Sequence, residues 1–104
     1  MSYDKCNPYY HPEKMGLEIV AQIDYSDQNY CFDTRVVWRH KETGKLYTAR
    51  DSGCSCPSPF EDYDTIEKLA EYSYDFVRLE ALVEGREENY KGDSVQNFID
   101  KLPR

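Results

Sequence analysis

The sequence predicts an α+β fold, in which a three-stranded antiparallel β-meander is followed by two or three helices packed on one face. Alternation of apolar and polar residues dominates the first half of the chain, and apolar residues at helical spacing dominate the second. Elements that segregate along a chain in this way are typical of the α+β class. Because 104 residues suffice for one domain only, we expect a single domain over residues 16–104 behind an extended N-terminal arm, residues 1–15.

Two alternating runs and a hairpin predict the sheet. The first run starts after Gly16 and, with Val20 as the exception, places four apolar residues on one face: Leu17, Ile19, Ala21 and Ile23. The second run is the longest and aligns Tyr30, Phe32, Thr34, Val36 and Trp38. Gly44 suits the left-handed position that closes a tight hairpin, after which Lys45–Arg50 returns as the third strand.

Residues 51–60 break the periodic pattern. This segment holds two prolines and a glycine, which exclude regular structure across it. We therefore expect an irregular loop, and a loop of this length in a small domain is more often functional or disordered than accidental.

Helix signals begin after this loop. Asp64 and Glu67 match a capping box, and Ser73 is placed to cap a second helix. That second helix carries apolar residues at helical spacing: Phe76, Leu79, Leu82 and Val83. Ser94 can cap a short third helix that Pro103 stops.

The charge pattern argues against direct binding to nucleic acid. The net charge is −7, with seven acidic and seven basic residues in positions 1–50 but thirteen acidic and six basic in positions 51–104. A negative domain repels nucleic acid and anionic lipid at long range. No stretch has the length or apolar character of a membrane span, and the N-terminus lacks an apolar signal region, so we expect a cytoplasmic protein.

The four cysteines raise the question of a metal site. Without export they are expected to remain thiols, and Cys6, Cys31, Cys54 and Cys56 are the candidate ligands. The Cys54-Ser55-Cys56 spacing is shorter than the usual zinc knuckle, and Cys31 falls within a strand, so packing in a tight loop is the favoured interpretation. We predict neither a metal nor another cofactor.

No catalytic set emerges from the titratable residues. His11 and His40 lie in no recognisable triad context, and the acidic pairs fall in loops and on polar helix faces. The five glycines are scattered and form no phosphate-binding loop. We therefore expect the protein not to be an enzyme.

Three segments resemble an uncharacterised family of small proteins from bacteriophages of actinobacteria. The segments are Tyr10–Val20, Val37–Gly44 and Asp51–Tyr63, and the run Asp-Ser-Gly-Cys-Ser-Cys-Pro in the third is the most specific. The resemblance implies a phage source and the cytoplasm of an infected cell, but it transfers no catalytic residue. It also draws attention to Asp51 and Ser52 as binding candidates.

Three functions remain open at this point. The first is a non-enzymatic phage accessory protein that binds an unknown host or phage protein, through the Cys54–Phe60 loop or a Tyr-rich sheet face. Phe60 and Trp38 are then candidate contacts, although a core role for Trp38 is favoured. The second is an acidic mimic of nucleic acid that inhibits a host enzyme, and the third is a small module stabilised by metal at Cys54 and Cys56.

Overall fold

A computed structural model describes residues 7–25, 31–54, 60, 63, 65–84 and 95–104, with Cys31 and Cys54 described by their backbone. Within these residues the chain is α+β, as the sequence predicts, but the antiparallel sheet has four strands in the order β1-β2-β3-β4. The strands are β1 (Leu17–Asp24), β2 (Cys31–His40), β3 (Leu46–Cys54) and β4 (Ala70–Glu71). Two α-helices follow, α1 (Tyr74–Glu84) and α2 (Val95–Lys101), and 3-10 helices span Pro12–Met15 and Ile66–Lys68.

The third strand is longer than its sequence pattern predicts. β3 continues through Cys54, and each of residues 51–54 has a register partner in β2. The prediction of an irregular loop from Asp51 was therefore wrong for these four residues. Pairing with the long β2 strand supplies the backbone hydrogen bonds of Asp51 and Gly53 and overrides the poor strand propensity of the segment.

The segment before α1 also departs from prediction. In place of a helix over this region, the described residues form one 3-10 turn and then β4. β4 pairs with β3 at Tyr47 and Thr48, and the Tyr72 amide donates to the Leu46 carbonyl at 3.1 Å. This pairing covers backbone groups at the edge of β3, which a helix here would leave open.

A β-bulge divides the first strand between the two faces of the sheet. The register with β2 shifts between Ile19 and Ala21, which leaves Val20 as the extra residue. Leu17 therefore packs on one face while Ala21 packs on the other. The sequence pattern had grouped these apolar residues on a single face, and Val20, its one exception, marks the bulge.

The sheet carries a hydrophobic core on each face. α1 and α2 cover the first, here called the helix-side core, whose buried members are Ala21, Ile23, Tyr25, Val37, Val77, Ala81, Phe98 and Leu102. The second, the arm-side core, comprises Leu17, Val36, Trp38, Ala49, Phe60 and Leu69. Tyr9 and Met15 pack against the arm-side core from the predicted N-terminal arm. Residues 12–15 of that arm form a 3-10 helix rather than extended chain.

Candidate functional site

Trp38 and Phe60, two predicted contact residues, lie at the centre of the arm-side core. Both are 0 % exposed, and their rings meet edge to face at a centroid distance of 5.5 Å. The Trp38 indole N–H donates to the Pro8 carbonyl at 2.8 Å, which ties the N-terminal segment to β2. Neither side chain is open to a partner in the folded chain, and the burial of Trp38 supports the core interpretation.

Asp51 holds the backbone of Phe60 in place. Its carboxylate Oδ2 accepts a hydrogen bond from the Phe60 amide at 2.8 Å. Phe60 has φ of 61°, in the left-handed region that a bulky residue rarely adopts. The bond to Asp51 and the aromatic packing offset this strain, so Asp51 has a structural contact that the sequence did not reveal. Ser52 is exposed on β3, and a binding role for either residue stays a prediction.

Two of the four cysteines are brought together by the sheet. Cys31 and Cys54 are register partners at the end of the β2–β3 ladder. Cys6 and Cys56 lie outside the described residues, so the four-cysteine metal hypothesis stays a prediction. Among the side chains that are described, no three His, Cys, Asp or Glu groups converge on a possible metal position.

A group of paired charges, which sequence reasoning missed, lies between the sheet and α1. We call it the arginine–carboxylate cluster; its members are Tyr25, Asp33, Arg35, Arg50, Glu80 and Glu84. Arg35 holds Glu80 in a two-point contact, Nε to Oε1 at 2.8 Å and a terminal nitrogen to Oε2 at 2.6 Å. The two side chains are only 8 % and 11 % exposed.

Arg50 extends the cluster along β3. It grips Asp33 through two bonds of 2.7 Å and reaches Glu84 at 2.9 Å, while its guanidinium lies 4.9 Å from the Tyr25 ring centroid. Hydrogen bonds to Asp33, partly opposed by burial, raise the pKa of Arg50. Arg35 and Arg50 are register partners in β2 and β3, which is why both reach the same helix. In the sequence, this cluster shows only as an arginine in each of two predicted strands, and an arginine at such a position is usually exposed to solvent.

The cluster also shifts the pKa values of Glu80 and Tyr25. Burial alone would raise the pKa of Glu80, but the hydrogen bond and charge of Arg35, followed by the charge of Arg50, lower it overall. Burial, followed by the nearby Glu80 charge, raises the pKa of Tyr25, whose hydroxyl donates to Glu80 at 3.3 Å. Glu80 is therefore an anion held by two guanidiniums and a phenol, an arrangement that anchors α1 to the sheet.

The side of α1 that does not pack in the helix-side core is apolar and largely exposed, with the Phe76 ring at its edge, 5.4 Å from the Arg35 guanidinium carbon. We call it the outward apolar face; its members are Phe76 (56 % exposed), Leu79 (59 %), Leu82 (51 %) and Val83 (70 %). The sequence predicted the helix but not which side would be buried. Val77 and Ala81 point to the helix-side core, and Glu80 on the adjacent flank of the helix reaches Arg35.

A shallow groove lies where β4 meets the start of β3. It has a volume of about 410 Å³ and is lined by Lys45, Leu46, Tyr47, Glu71 and Tyr72. The Tyr72 hydroxyl donates to the Pro103 carbonyl at 2.7 Å, and burial, with a smaller effect of Tyr74, raises the pKa of Tyr72 to about 12. This hydroxyl connects the segment before α1 to the C-terminal residues.

Together these features define a small α+β protein with a two-sided sheet, a cluster of mutually paired charges and an apolar helix face open to solvent. The chain belongs to the family described as a domain of unknown function, DUF7574, whose model matches residues 6–104. No curated protein and no solved structure matches the chain. In the described parts of the chain, no helix combines the length and apolar character that crossing a membrane requires.

Proposed function

We propose that this chain is a non-enzymatic protein-binding protein and that the outward apolar face is its contact surface. The observation that carries the proposal is the exposure of four large apolar side chains, each by more than half, along eight residues of α1. Single exposed apolar residues are ordinary, but contiguous apolar patches mark interaction sites in many proteins. This face replaces the Cys54–Phe60 loop as the surface that we favour.

The size of the face suits a helix-sized contact. Four such half-exposed side chains present on the order of several hundred Å² of apolar surface, comparable with the largest functional patches of monomeric proteins. Removing apolar surface from water contributes roughly 25 cal/mol per Å². The face is therefore suited to an apolar partner surface of modest size, such as one side of an amphipathic helix.

Charge favours a partner whose apolar contact is bordered by lysine or arginine. The net charge of −7 arises wholly within residues 51–104, which contain α1. Glu71 and Asp75 are exposed at the N-terminal end of α1, whereas Arg78 is the exposed base on the helix. A second copy of the chain, an anionic membrane or a nucleic acid would meet long-range repulsion, but a basic-rimmed protein would be attracted.

The source and compartment belong to the same proposal. The resemblance to small actinobacteriophage proteins supports a phage accessory protein that acts on a host or phage protein in the infected cell. The acidic-mimic alternative is less well supported, because Asp33, Glu80 and Glu84 are paired with arginine and do not form a free track of charge.

The experiment compares the wild-type chain with a Leu79→Ser/Val83→Ser double variant and an Arg78→Ser control on the same helix. Each is immobilised, exposed to host-cell lysate, and the retained proteins are identified; any candidate is then purified and its affinity measured directly. We expect wild type and Arg78→Ser to bind one common protein, with Arg78→Ser binding at least as tightly because a base that repels a basic rim is removed, and the double variant to lose at least tenfold in affinity.

Two controls make the result decisive. Thermal melts should show the double variant folded, since the replaced side chains are largely exposed. Equal retention by wild type and the double variant would refute the proposed surface. A concentration-dependent dimer of the wild type that the double variant abolishes would show that the face binds a second copy instead of a basic partner.

A further inference from the structure

The opposed positions of Cys31 and Cys54 carry an inference that is independent of the proposed function. Cys31 is the first residue of β2 and Cys54 is the last residue of β3. The two are paired, and the β2–β3 ladder has no register shift. The hydrogen-bonding pattern known elsewhere in the hairpin therefore also tells whether the Cys31–Cys54 pair is hydrogen-bonded.

The alternation of backbone hydrogen bonds along β2 and β3 makes Cys31 and Cys54 a non-hydrogen-bonded pair. The Asp33 carbonyl accepts from the Tyr25 amide, at 2.7 Å, and so faces β1 rather than β3. The Leu46 carbonyl accepts from the Tyr72 amide and so faces away from β2. Cys31 and Cys54 are an even number of residues from Asp33 and Leu46, respectively, so their backbone polar groups also face away from each other.

The backbone spacing of such a pair matches the requirement of a disulfide. Directly opposed residues at non-hydrogen-bonded positions have Cα atoms about 4.5 Å apart, against about 5.5 Å at hydrogen-bonded positions. A disulfide needs a Cα separation of roughly 4.4–6.8 Å. The hairpin therefore places these two residues within bridging range without moving either strand.

We propose that Cys31 and Cys54 form a reversible cross-strand disulfide when the protein meets a low-molecular-weight disulfide such as oxidised glutathione. One cysteine thiolate attacks the oxidant to give a mixed disulfide and releases one glutathione thiolate. The second cysteine thiolate then displaces the second glutathione. The protein loses two electrons and two protons, and glutathione disulfide is reduced to two thiols. In a reducing compartment the pair returns to the dithiol.

The disulfide would cross-link the end of the β2–β3 hairpin that lies farthest from its turn. It joins the point where β2 begins to the point where β3 ends, and so closes the 31–54 hairpin into a ring. Closing a loop of this length restricts the unfolded chain, so oxidation is expected to raise the Tm by several degrees.

The test oxidises the folded, fully reduced chain with glutathione disulfide and then blocks the remaining thiols with iodoacetamide. We expect a mass loss of about 2 Da before blocking and alkylation of only two of the four cysteines. Fragmentation of the tryptic peptides should link Cys31 to Cys54. The same reaction in denaturant gives the distribution of pairings that the unfolded chain prefers.

Matched serine variants decide between this pair and others. Cys31→Ser and Cys54→Ser should each abolish the intramolecular bond, while Cys6→Ser and Cys56→Ser should leave it intact. A Cys54–Cys56 bridge in the folded protein, or pairing identical to that in denaturant, would overturn the inference. So would stable mixed disulfides at all four thiols.

Discussion

Arg35 shows how one residue orients a whole element. It lies on a strand at a buried position, where an unpaired guanidinium would be costly. Glu80 supplies the counter-charge in a two-point contact, and the Phe76 ring lies 5.4 Å from the Arg35 guanidinium carbon. The pairing joins one flank of α1 to the sheet, since Glu80 lies at i+3 from Val77, and the burial of Val77 and Ala81 in the helix-side core selects the inward side of the helix.

Glu80→Gln should destabilise the protein. The variant leaves buried Arg35 without its counter-charge, and we expect the free energy of unfolding to fall by about 2–4 kcal/mol at pH 7. Urea denaturation measures the change. Glu84→Gln is the control: its side chain is 43 % exposed and its partner Arg50 keeps Asp33, so a loss under about 1 kcal/mol is expected. Equal losses in the two variants would contradict a special role for Glu80.

The same pair predicts a pH dependence. The pKa of Glu80 is lowered in the folded state, so its contribution is fully present above the unfolded carboxyl pKa of about 4.3. That contribution is lost as the pH falls through the lower, folded pKa. The stability gap between wild type and Glu80→Gln should therefore be constant from pH 7 to 5 and shrink below about pH 4. Denaturation curves at a series of pH values test this, and a gap unchanged down to pH 2 would contradict it.

Asp51, which the sequence suggested as a binding residue, can be tested for a structural role. Asp51→Ala removes the acceptor of the Phe60 amide, and we expect a loss of about 1–2 kcal/mol in the free energy of unfolding. Asp51→Asn keeps an acceptor oxygen and should retain most of the stability. If both the alanine and the asparagine variant keep the wild-type Tm, the Asp51–Phe60 hydrogen bond does not stabilise the strained Phe60 backbone.

At the scale of elements, the clearest feature is that α1 has two apolar sides and buries the smaller one. Val77 is fully buried in the helix-side core, whereas Leu79, two residues later, is 59 % exposed. The two residues are similarly hydrophobic, yet one lies in the core and the other is largely in water. The β1 bulge is a second case, since one extra residue sends Leu17 and Ala21 to different cores.

A pair of alanine variants tests the assignment of the α1 faces. Val77→Ala should cost about 1–3 kcal/mol, because it leaves a cavity against the sheet. Leu79→Ala removes a larger side chain but should cost under about 1 kcal/mol, because most of that side chain is in water. Chemical denaturation of both variants gives the comparison, and a larger loss for Leu79→Ala would show that the outward apolar face is covered within the monomer.

At the scale of the molecule, one sheet serves two cores, and β2 contributes to both. Val36 and Trp38 belong to the arm-side core, while Val37 between them belongs to the helix-side core. Neither core can be lost without exposing the strand that the other needs. The whole domain should therefore unfold as one cooperative unit.

Optical probes can check this cooperativity separately for each core. Trp38 is the single tryptophan, so its fluorescence reports the arm-side core, while helical circular dichroism reports α1 and α2. We expect both signals to change at one urea midpoint. Separate midpoints would show that the helices detach before the sheet unfolds, and that the arginine–carboxylate cluster is a weak anchor.

The sequence by itself determined the α+β class, the β1–β2–β3 meander, the left-handed turn at Gly44 and the existence of α1 and α2. These depend on local periodicity and turn chemistry, which neighbouring residues encode directly. Residues 51–54 and 70–71 became strands only in the tertiary structure, because they pair with strands far away in the chain.

Which residues of the candidate site are buried and which are exposed depends almost entirely on the tertiary structure. Trp38 and Phe60 are large aromatic residues that suit either a core or a contact, and only the packing of the N-terminal segment and Tyr63 over them determines their burial. The orientation of α1 depends on an ion pair whose members are 45 positions apart. Apolar spacing predicts that a helix has an apolar side, but the packing of Val77 and Ala81 in the helix-side core, together with the Arg35–Glu80 pair, decides which side stays exposed.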